Sequence, residues 1–295
     1  MGAEGDLTLA LNQAIVGANF EAEATGDETM DRRTFLVRNM PAATLGLSAW
    51  RPAFAAISSG EKTMSSSYFE FMHIHMQSGS QPQRMSKWLE SRLMPMCQKH
   101  GFGPMGFFNV DIGPSLPTAV VIFSYPSLAA MEALWGKLNS DPDYATAVME
   151  VEAEEPAFYR SETALLRSTT FCPPLVATPA SDPSHKLYEL RIYESPTNRQ
   201  LNLLHDRFSG GEINVFHKNG IRPILYANTV FGTNMPNMAY LIPFASADHR
   251  DKAWTAFRND PDWIKLRDDS IRRGGEIVRN ITSIFLSPMR FSMLR

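Results

Sequence analysis

The first patterned stretch, Tyr68 to His75, alternates in polarity and predicts a strand, because successive strand side chains point to opposite faces. From Gln81 to His100 the period changes. Met85, Trp88, Leu89, Leu93, Met96 and Cys97 recur at three and four, which places them on one face of a helix that Gly101 would end in a left-handed cap. Two strand-like runs, Pro104 to Gly113 and Pro117 to Ser124, are joined by the turn I-G-P-S-L-P and read as a hairpin. Ser127 suits a helix N-cap, with Met131, Leu134, Trp135 and Leu138 as the apolar stripe. In S-D-P-D a second cap follows: Asp141 at the N-cap, Pro142 at N1, and Asp143 facing the positive end of the helix dipole. Ala157 to Arg167 closes the series as a fourth strand.

The same order then repeats. W-G-K-L-N-S-D-P-D-Y at 135–144 returns as W-T-A-F-R-N-D-P-D-W at 254–263, an offset of 119 residues. At that offset Glu70 falls on Glu189, Gly101 on Gly220, Pro104 on Pro223, Asn109 on Asn228, Gly113 on Gly232 and Pro117 on Pro236, with no gap. The second series reads as a strand Leu187–Glu194, a helix from Thr197, a hairpin Pro223–Pro243, a helix from Ser246 broken at Asp260, and a last strand Ile277–Leu286. Each unit is thus β-α-β-β-α-β, the ferredoxin-like order of an α+β fold, with helices on one face of an antiparallel sheet. Its other face would be bare. Two tandem units hide it by packing sheet on sheet, so residues 66–290 are expected to form an intrachain pseudo-dimer with the helices outside.

The domain reading is a first unit at 66–168, a Pro-rich linker at 169–185 and a second unit at 186–290. Ahead of them, D-R-R-T-F-L at 31–36, an apolar run from Met40 to Trp50 and the small-x-small pattern Ala53-Phe54-Ala55 resemble a twin-arginine export signal over 30–56. That predicts a soluble periplasmic or extracytoplasmic mature form starting near Ala56. The h-region is too short to span a bilayer, which needs ~20 apolar residues. Residues 1–29, with six acidic and no basic residues, read as a disordered or over-extended start, Met30 being the alternative. A net charge of −3 offers no basic field to nucleic acid.

L-Y-E-L-R-I-Y at 187–193, G-G-E-I at 210–213, M-P-N at 235–237, A-F-R-N-D-P-D-W at 256–263 and E-I-V-R-N-I-T at 276–282 together resemble the NIPSNAP family. The resemblance covers the second unit and, through the repeat, a more diverged first unit. It implies a dimeric α/β barrel of ferredoxin-like halves and a family without a defined activity. Some mitochondrial relatives act as adaptors. More distant superfamily relatives include cofactor-free monooxygenases and haem enzymes such as chlorite dismutases. The export signal departs from the mitochondrial members.

Candidate chemistry is sparse. His73 and His75 share a strand face and could share a metal, but no third ligand is evident, and alignment with Leu190 and Ile192 puts them on the face expected under the helices. Glu189 and Arg191 read as a structural ion pair, which burial would require. In the second unit the first helix is interrupted by Gly210-Gly211, unlike its counterpart, and His205, Glu212 and His217 cluster around the break. Those three are the candidate catalytic residues of a second-unit pocket, with Tyr193 and Asn228 as candidate ligand contacts. Cys97 reads as a core thiol and Cys172 lies in the connector; a disulfide is compatible with export. No metal and no cofactor is predicted. Walker loop, dinucleotide fingerprint, H-E-x-x-H and nucleophile elbow are all absent from the sequence. Two function classes follow: a module binding a small molecule or protein partner, with homo-oligomers compatible, and an oxygenase-like cofactor-free enzyme.

Overall fold

The computed structural model describes residues 67–153, 155–178 and 186–295. The stretch 30–56 expected to be an export signal, the residues ahead of it and residues 179–185 of the linker lie outside the described residues. Among the described residues, eight strands form one closed antiparallel barrel in the order β1-β3-β2-β8-β5-β7-β6-β4. They are β1 Tyr68–His75, β2 Gly106–Ile112, β3 Thr118–Tyr125, β4 Arg160–Ser168, β5 Leu187–Glu194, β6 Leu225–Phe231, β7 Asn237–Phe244 and β8 Asn280–Pro288. Within each half the first strand lies between the third and the fourth. The halves join through β2 with β8 and β4 with β6, so closure leaves no edge of this sheet unpaired.

Eight α-helical segments among the described residues pack outside: α1 Gln81–Trp88, α2 Met94–His100, α3 Leu128–Asn139, α4 Pro142–Glu152, α5 Asn198–Arg207, α6 Ile213–Lys218, α7 Ala247–Asn259 and α8 Pro261–Gly274. Local chemistry sets their ends as the residues predict. Gly101 adopts φ 91° after α2. Ser127 and Ser246 accept the amides of Ala130 and His249, and Asp141 and Asp260 accept those of Asp143 and Asp262. Each capping aspartate also receives the lysine at the end of the first helical stretch of its half, Lys99 at 2.8 Å and Lys218 at 3.0 Å.

Three expectations are corrected. The break in the first helix is common to both halves: a π-helical turn, Leu89–Leu93, links α1 to α2, and its counterpart, Phe208–Glu212, links α5 to α6. The glycine pair therefore does not cause it. The last strands begin at Arg160 and Asn280 rather than at Ala157 and Ile277, which are buried residues of the preceding loops; an apolar position cannot by itself separate a buried loop from a strand. The 119-residue offset also becomes 120 there, because α8 is longer than α4.

The third correction concerns which strand face lies inside. Phe69, Phe108, Tyr188 and Leu190 are buried in a cluster shared by the two halves, with the Phe108 and Tyr188 rings 5.0 Å apart. Tyr188, Leu190 and Ile192 thus face the barrel interior, and Glu189, Arg191 and Tyr193 lie beneath the helices. His73 and His75 are interior with them. Met72 and Ile74 instead pack with Met85, Leu89 and Leu93 below the first helix layer.

Beyond each last strand the chain crosses to the other half as an arm. Thr169 donates its amide to the Tyr226 carbonyl, and Met289 donates its own to that of Phe107. One turn later the Cys172 thiol accepts the Tyr226 amide at 3.3 Å, where the Ser292 hydroxyl accepts the Phe107 amide at 3.0 Å. The start of the Pro-rich connector is therefore a repeated structural part, matched by the C-terminal residues.

Candidate functional site

Below the second helix layer the sheet carries polar groups where the first half is apolar. Arg191, Tyr193, Arg207, Glu212, Tyr226 and Tyr240 stand where the first half has Met72, Ile74, Trp88, Leu93, Phe107 and Val121. Glu189 is fully buried and accepts from Arg191 at 2.6 Å, Arg250 at 2.7 Å, Ser283 at 2.7 Å and Trp254 at 2.9 Å. Burial pushes its carboxyl up, but these donors, Arg250 foremost, outweigh it and hold the group at about 2. Arg191 also donates to the Tyr240 hydroxyl at 3.0 Å and lies 4.5 Å from the Trp254 ring centroid. The expected Glu189 and Arg191 pair is thus the centre of a larger network.

Glu212 is buried beside Arg207, whose Nε donates to it at 2.7 Å. Burial raises the carboxyl against the pull of that guanidinium. The Tyr226 hydroxyl, packed within the same layer, has no hydrogen-bond partner among the described residues.

His205, on α5, stands at the rim of this layer. Its Nε2 lies 2.9 Å from Asn228 Oδ1 on β6, so with the amide oxygen accepting, Nε2 carries the proton and Nδ1 is the basic nitrogen. Burial lowers its pKa, opposed by the Asn228 hydrogen bond, which leaves the ring neutral at pH 7. Both residues line a crevice of about 560 Å³, closed from the first half by Phe69, Ser124 and Tyr125 and along the arm by Thr169, Cys172 and Pro173. Phe171 separates the crevice from the buried layer, its ring 5.7 Å from His205 and 5.4 Å from Tyr226.

The structure brings together only part of the expected cluster. His205 and Asn228 meet; Glu212 is turned under the helices to Arg207, and His217 is solvent-exposed on α6 with its pKa lowered by burial and by Arg222. The π-turn between them rotates the three positions to different faces, so they do not line one pocket. Tyr193 is buried beside Arg191 and Phe208. Sequence reasoning missed Arg207, Tyr226, Tyr240 and the arm. A position-by-position comparison of the two units at the 119-residue offset would have exposed the first three. Cys97 and Cys172 are both free and buried, and among the described residues no group of three or more His, Cys, Asp or Glu is placed to hold a metal ion.

A closed antiparallel barrel of two repeated α+β halves, with a histidine crevice on the second, defines the class of protein. The chain belongs to the NIPSNAP family, whose model matches residues 77–173 and 188–293. No curated protein matches it. Among solved structures it resembles a proposed monooxygenase from Fusobacterium nucleatum, at 6% identity over 76% of this chain and 93% of that one with a TM-score of 0.50. A proposed monooxygenase from Lactobacillus acidophilus gives 12% identity, coverage of 76% and 94%, and a TM-score of 0.49. A NIPSNAP-like domain protein from Burkholderia xenovorans matches at 21% identity over 37% of this chain and 90% of its own, with a TM-score of 0.32. Among the described residues no helix is long and apolar enough to cross a membrane.

Proposed function

We propose that the chain is a cofactor-free, oxygenase-like enzyme acting on a small molecule held in the His205 crevice. The observation that carries this reading is the neutral imidazole at the cavity wall, with Nε2–H fixed on Asn228 and Nδ1 left as the base. A substrate with an acidified methylene would lose a proton to Nδ1, and its anion would pass electrons to dioxygen. The methylene ends as a carbonyl: both of its C–H bonds break, one oxygen atom of dioxygen enters the product, and the other leaves as water with the two hydrogens. The family has no defined activity, and the monooxygenase likeness speaks for the fold alone.

Mass spectrometry of ligands retained by protein from its native host would name the candidate substrate, and oxygen uptake with that compound tests turnover. Wild type is expected to consume one dioxygen per product, with a loss of roughly 100-fold or more in His205→Ala. A retained ligand with uptake unchanged by that substitution would leave a binding module.

We also infer ferredoxin-like units paired as an intrachain dimeric α/β barrel, supported by strand order and one-sided helices. For localisation the reading is a bacterial-type, twin-arginine-exported periplasmic protein starting near Ala56, supported by the ordered Arg32-Arg33, apolar run and cleavage pattern. N-terminal sequencing that found Arg32-Arg33 intact on the native protein would reject export.

A further inference from the structure

The barrel interior holds a second cavity, of about 440 Å³, at the end opposite the His205 crevice. Its wall is unequal. His73 and Glu162 line it from the first half, where the matched positions of the second half are Ile192 and Thr282. Phe71 and Ile284 deepen the apolar side. The turns at its mouth belong to the two hairpins, whose tips expose Ile112 (61%), Leu116 (51%), Phe231 (69%) and Met235 (50%). An apolar solute therefore meets apolar surface before it enters.

The polar side has unmet hydrogen-bonding capacity. His75, 4% exposed, places Nδ1 2.8 Å from Thr118 Oγ1, and that hydroxyl gives its one proton to the Ser115 carbonyl. Thr118 can then only accept, so His75 Nδ1 carries the hydrogen, and in the neutral ring Nε2 is the acceptor. That Nε2 has no hydrogen-bond partner among the described residues; Glu162 Oε2, another acceptor, covers it at 3.6 Å from a side chain 56% exposed, whose Oε1 is held 3.0 Å from Arg160 Nε in a solvent-exposed ion pair of the kind that is worth little. His73 stacks beside it with ring centroids 6.5 Å apart, lines the cavity and makes no hydrogen bond to the described residues. Burial, and then the neighbouring His75, lower His73 to about 4, so the His73 ring is neutral at pH 7.

We propose that this cavity is a second small-molecule site, for a compact uncharged amphiphile whose hydroxyl donates its one proton to an acceptor nitrogen of the His73–His75 pair, Glu162 having swung aside, while its apolar body lies against Phe71, Ile192 and Ile284. The site is separate from the His205 crevice and stands or falls independently of any turnover there.

The test uses 2-naphthol and its methyl ether, 2-methoxynaphthalene, which keeps the ring system and lacks the donor. Both are titrated into protein carrying carbon-13 at histidine Cε1. The naphthol is expected to bind about tenfold more tightly than the ether and to shift the His73 and His75 signals while His205 stays unmoved. His73→Phe should reduce the preference to under about twofold. Should that variant fail to fold, Thr282→Phe, which fills the cavity from the opposite wall, should abolish binding of both compounds. Equal affinities, a shift confined to His205, or binding unchanged in a folded variant would overturn the proposal.

Discussion

Glu70 and Glu189 stand at the same place in the two halves and receive the same indole contact, from Trp135 at 3.2 Å and from Trp254 at 2.9 Å. Beyond that contact they diverge. Glu70 has only the Tyr125 hydroxyl, at 2.7 Å, as its other donor among the described residues, and burial leaves its pKa raised. At the two places where the second half has Arg191 and Arg250, the first half has Met72 and Met131.

Their effects on stability run in opposite directions with pH. Glu189 is held at about 2 against an ordinary 4.5, so its stabilisation is present above 4.5 and is lost as pH falls towards 2. Glu70 is raised, so its ionisation opposes folding increasingly as pH climbs from 4.5 through its folded value. Glu189→Gln is expected to cost about 3–5 kcal/mol at pH 7, since it strands two guanidinium groups. Glu70→Gln should be neutral or stabilising there. Urea denaturation at pH 3, 5 and 7 measures both.

The two glycines of the second π-turn should respond differently to alanine. Gly211 has φ +153°, and a Cβ there would stand 3.2 Å from Leu266, whereas Gly210 has open space and no such φ. Gly211→Ala is expected to lose about 1–3 kcal/mol, and Gly210→Ala to be neutral or to gain up to ~1 kcal/mol by restricting the unfolded chain. Thermal denaturation of the two variants separates them.

Cys172 should be replaceable by the residue its counterpart uses. Cys172→Ser keeps an acceptor for the Tyr226 amide and is expected to fold with little change, while Cys172→Ala leaves that buried N–H unmet at a cost of about 1–3 kcal/mol. In the native protein both thiols should resist Ellman's reagent, Cys97 most of all because burial pushes it up to about 12. Reagent kinetics with and without urea reads this directly.

His205 should titrate below the ordinary histidine value of 6.5. Asn228→Ala removes the hydrogen bond that favours the charged ring, so the titration should move lower still, and any His205-dependent activity should persist to lower pH. NMR titration of the His205 Cε1–H resonance checks the direction; an upward move would contradict the assigned Nε2–H tautomer.

The sequence by itself determined the element order, the repeat and the helix caps, because these rest on interactions between residues a few positions apart: Ser127 with Ala130, Asp141 with Asp143, Gly101 in its left-handed cap. It also showed that Glu189 must be paired, since a buried carboxylate has few alternatives. Only the tertiary structure decided which strand face is inside. A barrel wrapped by helices buries both faces, so Phe69 and Phe71 look no more interior than Met72 and Ile74 until the halves close on each other. The candidate site divides along the same line. His205 was legible as an ionisable group beside an irregular helix, but its meeting with Asn228 depends on how α5 lies over β6, and the crevice on an arm from the first half crossing to the second. His217 and Glu212 left that cluster for the same reason: a π-turn changes the rotation of everything after it, and nothing in a 3.6-residue period records that change.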